Sequence, residues 1–150
     1  DKMERLEGLL EGASNVGKHV LKTVLYPIHP RTKKMIENFK INIPENIALV
    51  DPVGFLDFLL LQKNAHLILT DSGGVQEESC ILRVPCVTLR DNTERPETVE
   101  VGGNVLAGIN SATILEKSQE ILTKERNWSN PFGDGNSSKY IIDHLTKSNS

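Results

Sequence analysis

Apolar residues recur along this chain in two alternating rhythms. Met3, Leu6, Leu9 and Leu10 stand at helical spacing and predict a helix over residues 2–10. Residues 23–28 form a β-branched and aromatic run that closes on Pro30, so they predict a strand. Met35, Ile36 and Phe39 share one face of a helix over 32–39, and 46–50 is a short strand ending at Asp51-Pro52. An apolar helix over 54–63 follows. Residues 66–70 are the clearest buried strand and run into Asp71-Ser72-Gly73-Gly74, then a helix over 75–82. Strands over 85–89 and, more weakly, 105–107 come next. A helix over 111–122 has Ser111 as a candidate N-cap, and a helix over 136–145 closes the chain.

Strands and helices thus alternate about five times. The strands are solid apolar runs rather than alternating ones, which predicts a parallel sheet of five or more strands with helices on both faces. A length of 150 residues suits one domain spanning 1–150, and there are no repeats or internal linkers to divide it. Residues 146–150 are expected to fray. A net charge of -3 gives no general electrostatic pull toward nucleic acid or anionic membrane, and Lys33-Lys34 reads as a solvated helix face. No apolar run is long enough to span a bilayer, because Asp57 interrupts the densest one. No signal peptide is evident. A first residue of Asp1 suggests a cut from a longer protein. Cys80 and Cys86 lack zinc or redox-pair spacing and read as free buried thiols in a reducing cytoplasm.

In a doubly wound sheet, ligands bind beyond the carboxyl ends of the strands. Three polar clusters stand there. In the first, Gly73 and Gly74 allow close approach to the backbone, and the helix that follows offers free N–H groups to a phosphate. Ser72 adds a hydroxyl, and Glu78 lies one turn on, where its carboxylate can accept from both hydroxyls of a ribose. A plain tight turn capped by Ser72 or Asp71 fits the same spacing. The second cluster is Arg90-Asp91-Asn92-Thr93-Glu94-Arg95-Pro96-Glu97, in which Arg95 suits bidentate contact with phosphate or carboxylate. A solvated loop of offsetting charges fits equally. The third is Tyr26-Pro27-Ile28-His29-Pro30-Arg31, where prolines hold His29 extended, either for a ligand or as a structural cap. His19, His66 and His144 receive no role.

Four segments resemble the non-hydrolysing UDP-N-acetylglucosamine 2-epimerases, in family order. Asp71-Ser72-Gly73-Gly74-Val75-Gln76-Glu77-Glu78 is similar to their D-S-G-G-x-Q-E-E segment, and Asp91-Asn92-Thr93-Glu94-Arg95-Pro96-Glu97 to their R-D-x-T-E-R-P-E loop. Asn130-Pro131-Phe132-Gly133-Asp134-Gly135 resembles their N-P-[YF]-G-D-G turn, and Tyr26-Pro27-Ile28-His29-Pro30 their Y-P-x-H segment. The resemblance implies an α/β, Rossmann-like, doubly wound domain, the C-terminal half of a glycosyltransferase-B-type fold. It implies that Ser72, Gly73 and Gly74 hold a diphosphate, Glu78 a ribose, and Phe58 the uracil ring, while Arg95 projects into the cleft. Val53 stands where some members carry a glutamine beside the uracil, which leaves only a backbone contact there.

The implied reaction is epimerisation of UDP-GlcNAc to UDP-ManNAc at C2, through departure and re-addition of UDP, with no metal or nicotinamide cofactor. The implied partners are the UDP-sugar, an N-terminal domain of the same protein and a second copy in a homodimer. The family's H-R-x-E-N histidine should fall just before Asp1, so His29 is not its counterpart. The family's catalytic acids lie in the absent domain, and the chain alone is expected to be inactive. Three other readings remain: a 2-epimerase for a modified UDP-sugar such as a diacetamido-uronic acid, a glycosyltransferase donor-binding domain, and a non-catalytic nucleotide-binding module.

Overall fold

In a computed structural model, residues 2–147 are described, and the last three residues of the tail expected to fray lie outside them. The elements follow one another as α1 (Lys2–His19), β1 (Val24–Pro27), α2 (Pro30–Phe39), β2 (Ile47–Val50), α3 (Phe55–Lys63) and β3 (Ile68–Thr70). They continue as α4 (Gly73–Ile81), β4 (Cys86–Thr88), α5 (Pro96–Glu100), β5 (Asn104–Leu106), α6 (Ser111–Leu122) and α7 (Ser137–Lys147). Every strand pair is parallel, as the solid apolar runs require.

Helices cover both faces of the β3-β4-β5 sheet. Cys86 and Val87 are neighbours in β4, both 0% exposed, and they point to opposite sides. Val87 and Val105 pack with Val16 of α1 and with Ile114 and Ile121 of α6. Cys86 and Ile68 pack on the other side with Val75 and Leu82, from α4 and its end. A second cluster joins Leu10 of α1 to Ile28, Ile36, Ile41 and Ile47, so α1 spans both sheets.

The expected continuous sheet is divided in two, with β1 beside β2 and β3-β4-β5 apart. Val24 and Ile28 give their N–H groups to Asn46 and Val50, both at 2.9 Å, which turns the Leu25 N–H away from β2. Ile68 donates to Pro85 at 2.9 Å and Thr70 accepts from Leu89 at 2.8 Å, which turns Leu67 and Leu69 away from β4. Both outward edges face one groove of about 720 Å³. It is lined by β1, β3, the Leu6, Leu9 and Ala13 side of α1, and Phe58 and Leu61 of α3. Among the described residues, β1 and β3 pair with no strand on these outward edges.

Several boundaries differ from expectation. The first helix runs on to His19, past Gly8, Gly12 and Gly17. A Cβ on Gly12 would meet Ile114 Cδ1 at 2.8 Å, and one on Gly17 would meet Val24 Cγ2 at 2.7 Å, so these glycines permit close packing. The cap of α6 is Asn110 rather than Ser111, because Asn110 Oδ1 accepts from the Ala112 and Thr113 N–H groups at 3.0 and 3.2 Å. The short α5 stands inside what reads as a loop. His66 lies outside β3 and is exposed. Trp128 is buried, and its Nε1–H donates to the Cys80 carbonyl at 3.0 Å.

Candidate functional site

Strand β3 ends at Thr70, and α4 begins two residues after Asp71. Gly73 and Gly74 lie in the first turn of α4 rather than in the loop ahead of it, and Ser72 is the N-cap residue. Its N–H donates to Thr70 Oγ1 at 3.1 Å, while its side chain makes no capping bond. The first backbone bond of the helix runs from Gln76 N–H to the Ser72 carbonyl at 3.1 Å. The N–H groups of Gly73, Gly74 and Val75 therefore have no partner within the helix, and they carry the positive end of its dipole.

The glycines are not demanded by the backbone, because neither has positive φ. Packing does not demand them either. A Cβ on Gly74 would meet nothing nearer than Ser72 Oγ at 3.9 Å, and one on Gly73 only Glu94 and Arg95 atoms at 3.7 and 3.8 Å. What remains is room for something to approach the free N–H groups closely.

The fold brings Arg95 against this turn. Its Nε–H is bonded to a Glu77 carboxylate oxygen, and one terminal nitrogen donates to the Glu94 carbonyl at 2.9 Å. The Arg95 backbone is held at both ends. Its N–H donates to Thr93 Oγ1 at 2.9 Å, and its carbonyl accepts from the Thr98 N–H at 3.1 Å and Thr98 Oγ1 at 2.7 Å. Both threonines are tied into the interior. Thr93 donates to Gln76 Oε1, and Asn104 Nδ2 donates to Thr98 Oγ1 at 3.0 Å and to Gln76 Oε1 at 3.3 Å. Thr88 Oγ1 closes the network onto Asn104 Oδ1 at 2.9 Å. Gln76, Thr88 and Thr98 are each 0% exposed, so the charged loop rests on a dry polar anchor that the sequence reading did not identify.

Glu78 lies in α4, and its Oε2 accepts from Gln62 Nε2 of α3 at 2.6 Å. Phe58, one turn before Gln62 on the same helix, is half-buried. With Tyr26, Thr70, Asp71 and Ser72 it lines the groove. Burial pushes the Tyr26 hydroxyl pKa above its ordinary value; the negative charge of Asp71 adds to this, and the Thr32 hydroxyl opposes it. Val53 is exposed on the loop before α3. His29 Nδ1 accepts from the Arg31 N–H at 3.2 Å and caps α2. That is the structural role open to it in the sequence. The Asn130 side chain closes its turn onto Phe132 N–H and the Gly133 carbonyl, both at 2.9 Å, and Asp134 Oδ2 accepts from Tyr140 at 3.1 Å.

Cys80 and Cys86 are free and buried. Among the described residues, no group of His, Cys, Asp and Glu side chains gathers as a metal site, and no helix is long and apolar enough to cross a membrane.

A family profile described as UDP-N-acetylglucosamine 2-epimerase matches residues 1–146. The chain is 52% identical to the UDP-N-acetylglucosamine 2-epimerase of Methanocaldococcus jannaschii, over 97% of this chain and 41% of that protein. A crystal structure of UDP-GlcNAc 2-epimerase from the same organism, in complex with UDP-GlcNAc and UDP, matches with a TM-score of 0.87 and 51% identity. That match covers 98% of this chain and 41% of the other. The UDP-2,3-diacetamido-2,3-dideoxy-D-glucuronate 2-epimerase of Pseudomonas aeruginosa is 37% identical over 98% of this chain and 41% of its own length. The chain spans about two fifths of the length of these relatives.

Proposed function

Because the chain belongs to the UDP-N-acetylglucosamine 2-epimerase family, we propose that it is the UDP-gripping part of an enzyme that interconverts UDP-GlcNAc and UDP-ManNAc at C2. The observation that carries this reading is the convergence of three features at one strand end. They are the unpaired N–H groups of Gly73, Gly74 and Val75, the open space over both glycines, and the Arg95 guanidinium beside Gly73. The helix N-terminus and the guanidinium suit a diphosphate, which would take Arg95 over from Glu77 and displace the Glu94 carboxylate that lies equally near Gly73. Glu78 then takes the ribose, Phe58 lies by the uracil, and the exposed backbone at Val53 borders the base.

In this reading a base removes the C2 proton, the C1–O bond breaks, and its electron pair leaves on UDP. A 2-acetamidoglucal remains until UDP adds back after reprotonation on the other face. The share of this chain is to hold UDP and to take up the charge that grows on the diphosphate. Donors aimed at developing charge are among the strongest catalytic devices. The acid–base groups belong to the rest of the protein. Support for such a partner comes from the groove between β1 and β3, whose two free strand edges and apolar walls need covering. A homodimer and a cytoplasmic location belong to the same proposal; the unpaired Cys80 and Cys86 fit a reducing compartment.

The test is a UDP titration followed by amide NMR. Ser72, Gly73 and Gly74 should shift first, with weak affinity in this chain alone. No shifts at about millimolar UDP, a range typical of weak sites, would defeat the reading. A second reading keeps the UDP grip but changes the sugar to a diacetamido-uronate, favoured by the Pseudomonas relative. Assaying the full-length enzyme with both UDP-sugars separates the two.

A further inference from the structure

We infer that Gln62 is a positioning residue that aims the Glu78 carboxylate, and so sets the preference for a ribonucleotide over its 2′-deoxy counterpart. The inference rests on the reading of Glu78 as the ribose acceptor. Gln62 stands in the last turn of α3, with only 4% of its surface exposed, and its Nε2 is 2.6 Å from Glu78 Oε2. The NH₂ end of the amide donates to Glu78, so the amide oxygen points the other way.

That orientation leaves Gln62 Oε1 buried and without a partner among the described residues. An apolar residue of similar size would fill the same place without an orphaned oxygen. A glutamine there is therefore unfavourable for packing and favourable for one thing, the direct hold on Glu78. The consequence is geometric. One carboxylate oxygen is anchored from α3, and the other is left to accept from the ligand. An anchored carboxylate meets both hydroxyls of a ribose diol in one fixed pose. An unanchored one swings among rotamers and gives up part of that gain. Phe58 is one helical turn from Gln62, so α3 sets the position of both the base and the sugar contacts.

The experiment is calorimetric titration of the full-length protein with UDP, 2′-deoxy-UDP and inorganic pyrophosphate. Wild type should favour UDP over 2′-deoxy-UDP by about tenfold or more, the value of one hydrogen bond to a charged group. Gln62→Leu and Gln62→Met should shrink that ratio toward one and leave pyrophosphate affinity unchanged. A merely structural loosening would weaken UDP and 2′-deoxy-UDP by the same factor. In the wild type, the Gln62 side-chain NH₂ signals should shift with UDP and stay still with pyrophosphate, a readout that needs no variant. Should wild type bind UDP and 2′-deoxy-UDP equally, the ribose reading of Glu78 falls. Discrimination that is lost in Glu78→Ala yet intact in the Gln62 variants, or Gln62 signals indifferent to UDP, would overturn the inference alone.

Discussion

Gly74→Ala separates two explanations for the glycine pair at the start of α4. If glycine were needed for packing or for backbone conformation, alanine would destabilise the fold. The structure says otherwise, since the new Cβ would find only Ser72 Oγ at 3.9 Å and φ at Gly74 is not positive. Alanine restricts the unfolded chain and favours the helix, so the fold should gain about 0.4–1 kcal/mol. In a domain of this size that is an increase in Tm of about 1–4 °C. UDP should respond in the opposite sense. The methyl group would stand where a phosphate oxygen approaches the free N–H groups, and one hydrogen bond to a charged group is worth about 1.5–3 kcal/mol. Affinity should fall about ten- to hundredfold. Thermal unfolding of this chain reads the first effect, and calorimetric UDP titration of the full-length protein reads the second. A lower Tm would show that packing requires the glycine. Affinity within about twofold of wild type, a difference of about 0.4 kcal/mol, would show that no phosphate approaches there.

Two further expectations concern the scaffold. Ile114 of α6 is 0% exposed, packed against Val16 of α1 and Val87 of β4, so Ile114→Ala should cost about 2–5 kcal/mol, read from the urea midpoint. Burial pushes the Cys86 thiol up to about 12. The unfolded chain then releases this proton first, so the contribution is complete below about pH 8.5 and falls by about 1.4 kcal/mol per pH unit above it. Urea titrations at about pH 8 and about pH 10 should show that Cys86→Ala removes about 2 kcal/mol of the alkaline loss.

The strand ends were legible because glycine and charged residues interrupt solid apolar runs there, at Asp71 to Gly74 and again at Arg90 to Glu97. Parallel pairing was legible from the same runs. The division of the sheet was not, since strand order is a tertiary property that no local pattern carries. Gly8, Gly12 and Gly17 hid the second half of α1, although their smallness is what lets the helix lie close to Ile114 and Val24. Five residues are too few to show a period, so α5 read as loop; Pro96 followed by Glu97 was the available sign of a helix start. Asn110 and Ser111 are both good caps, and only geometry chose between them. Gln62, Gln76 and Asn104 were invisible as anchors. An amide on a helix or short strand reads as solvated until its partners, Glu78, Thr93 and Thr98, are brought in from other elements and loops.

Proton exchange at the C2 carbon of the sugar tests the proposed division of labour most directly. Epimerisation requires a base and an acid within about 3 Å of the proton, on opposite faces of the ring. On the proposed reading, the carboxylates near the strand ends here, Asp51, Asp71, Glu78, Glu94 and Glu97, reach the sugar from one face only. UDP-GlcNAc in deuterated water, followed by proton NMR, should lose its C2 proton signal and yield UDP-ManNAc when incubated with the full-length enzyme. With this chain alone it should do neither, even while UDP binds. Deuterium appearing at C2 at a catalytic rate with this chain alone would contradict the account, because the acid–base pair would then lie within these 150 residues.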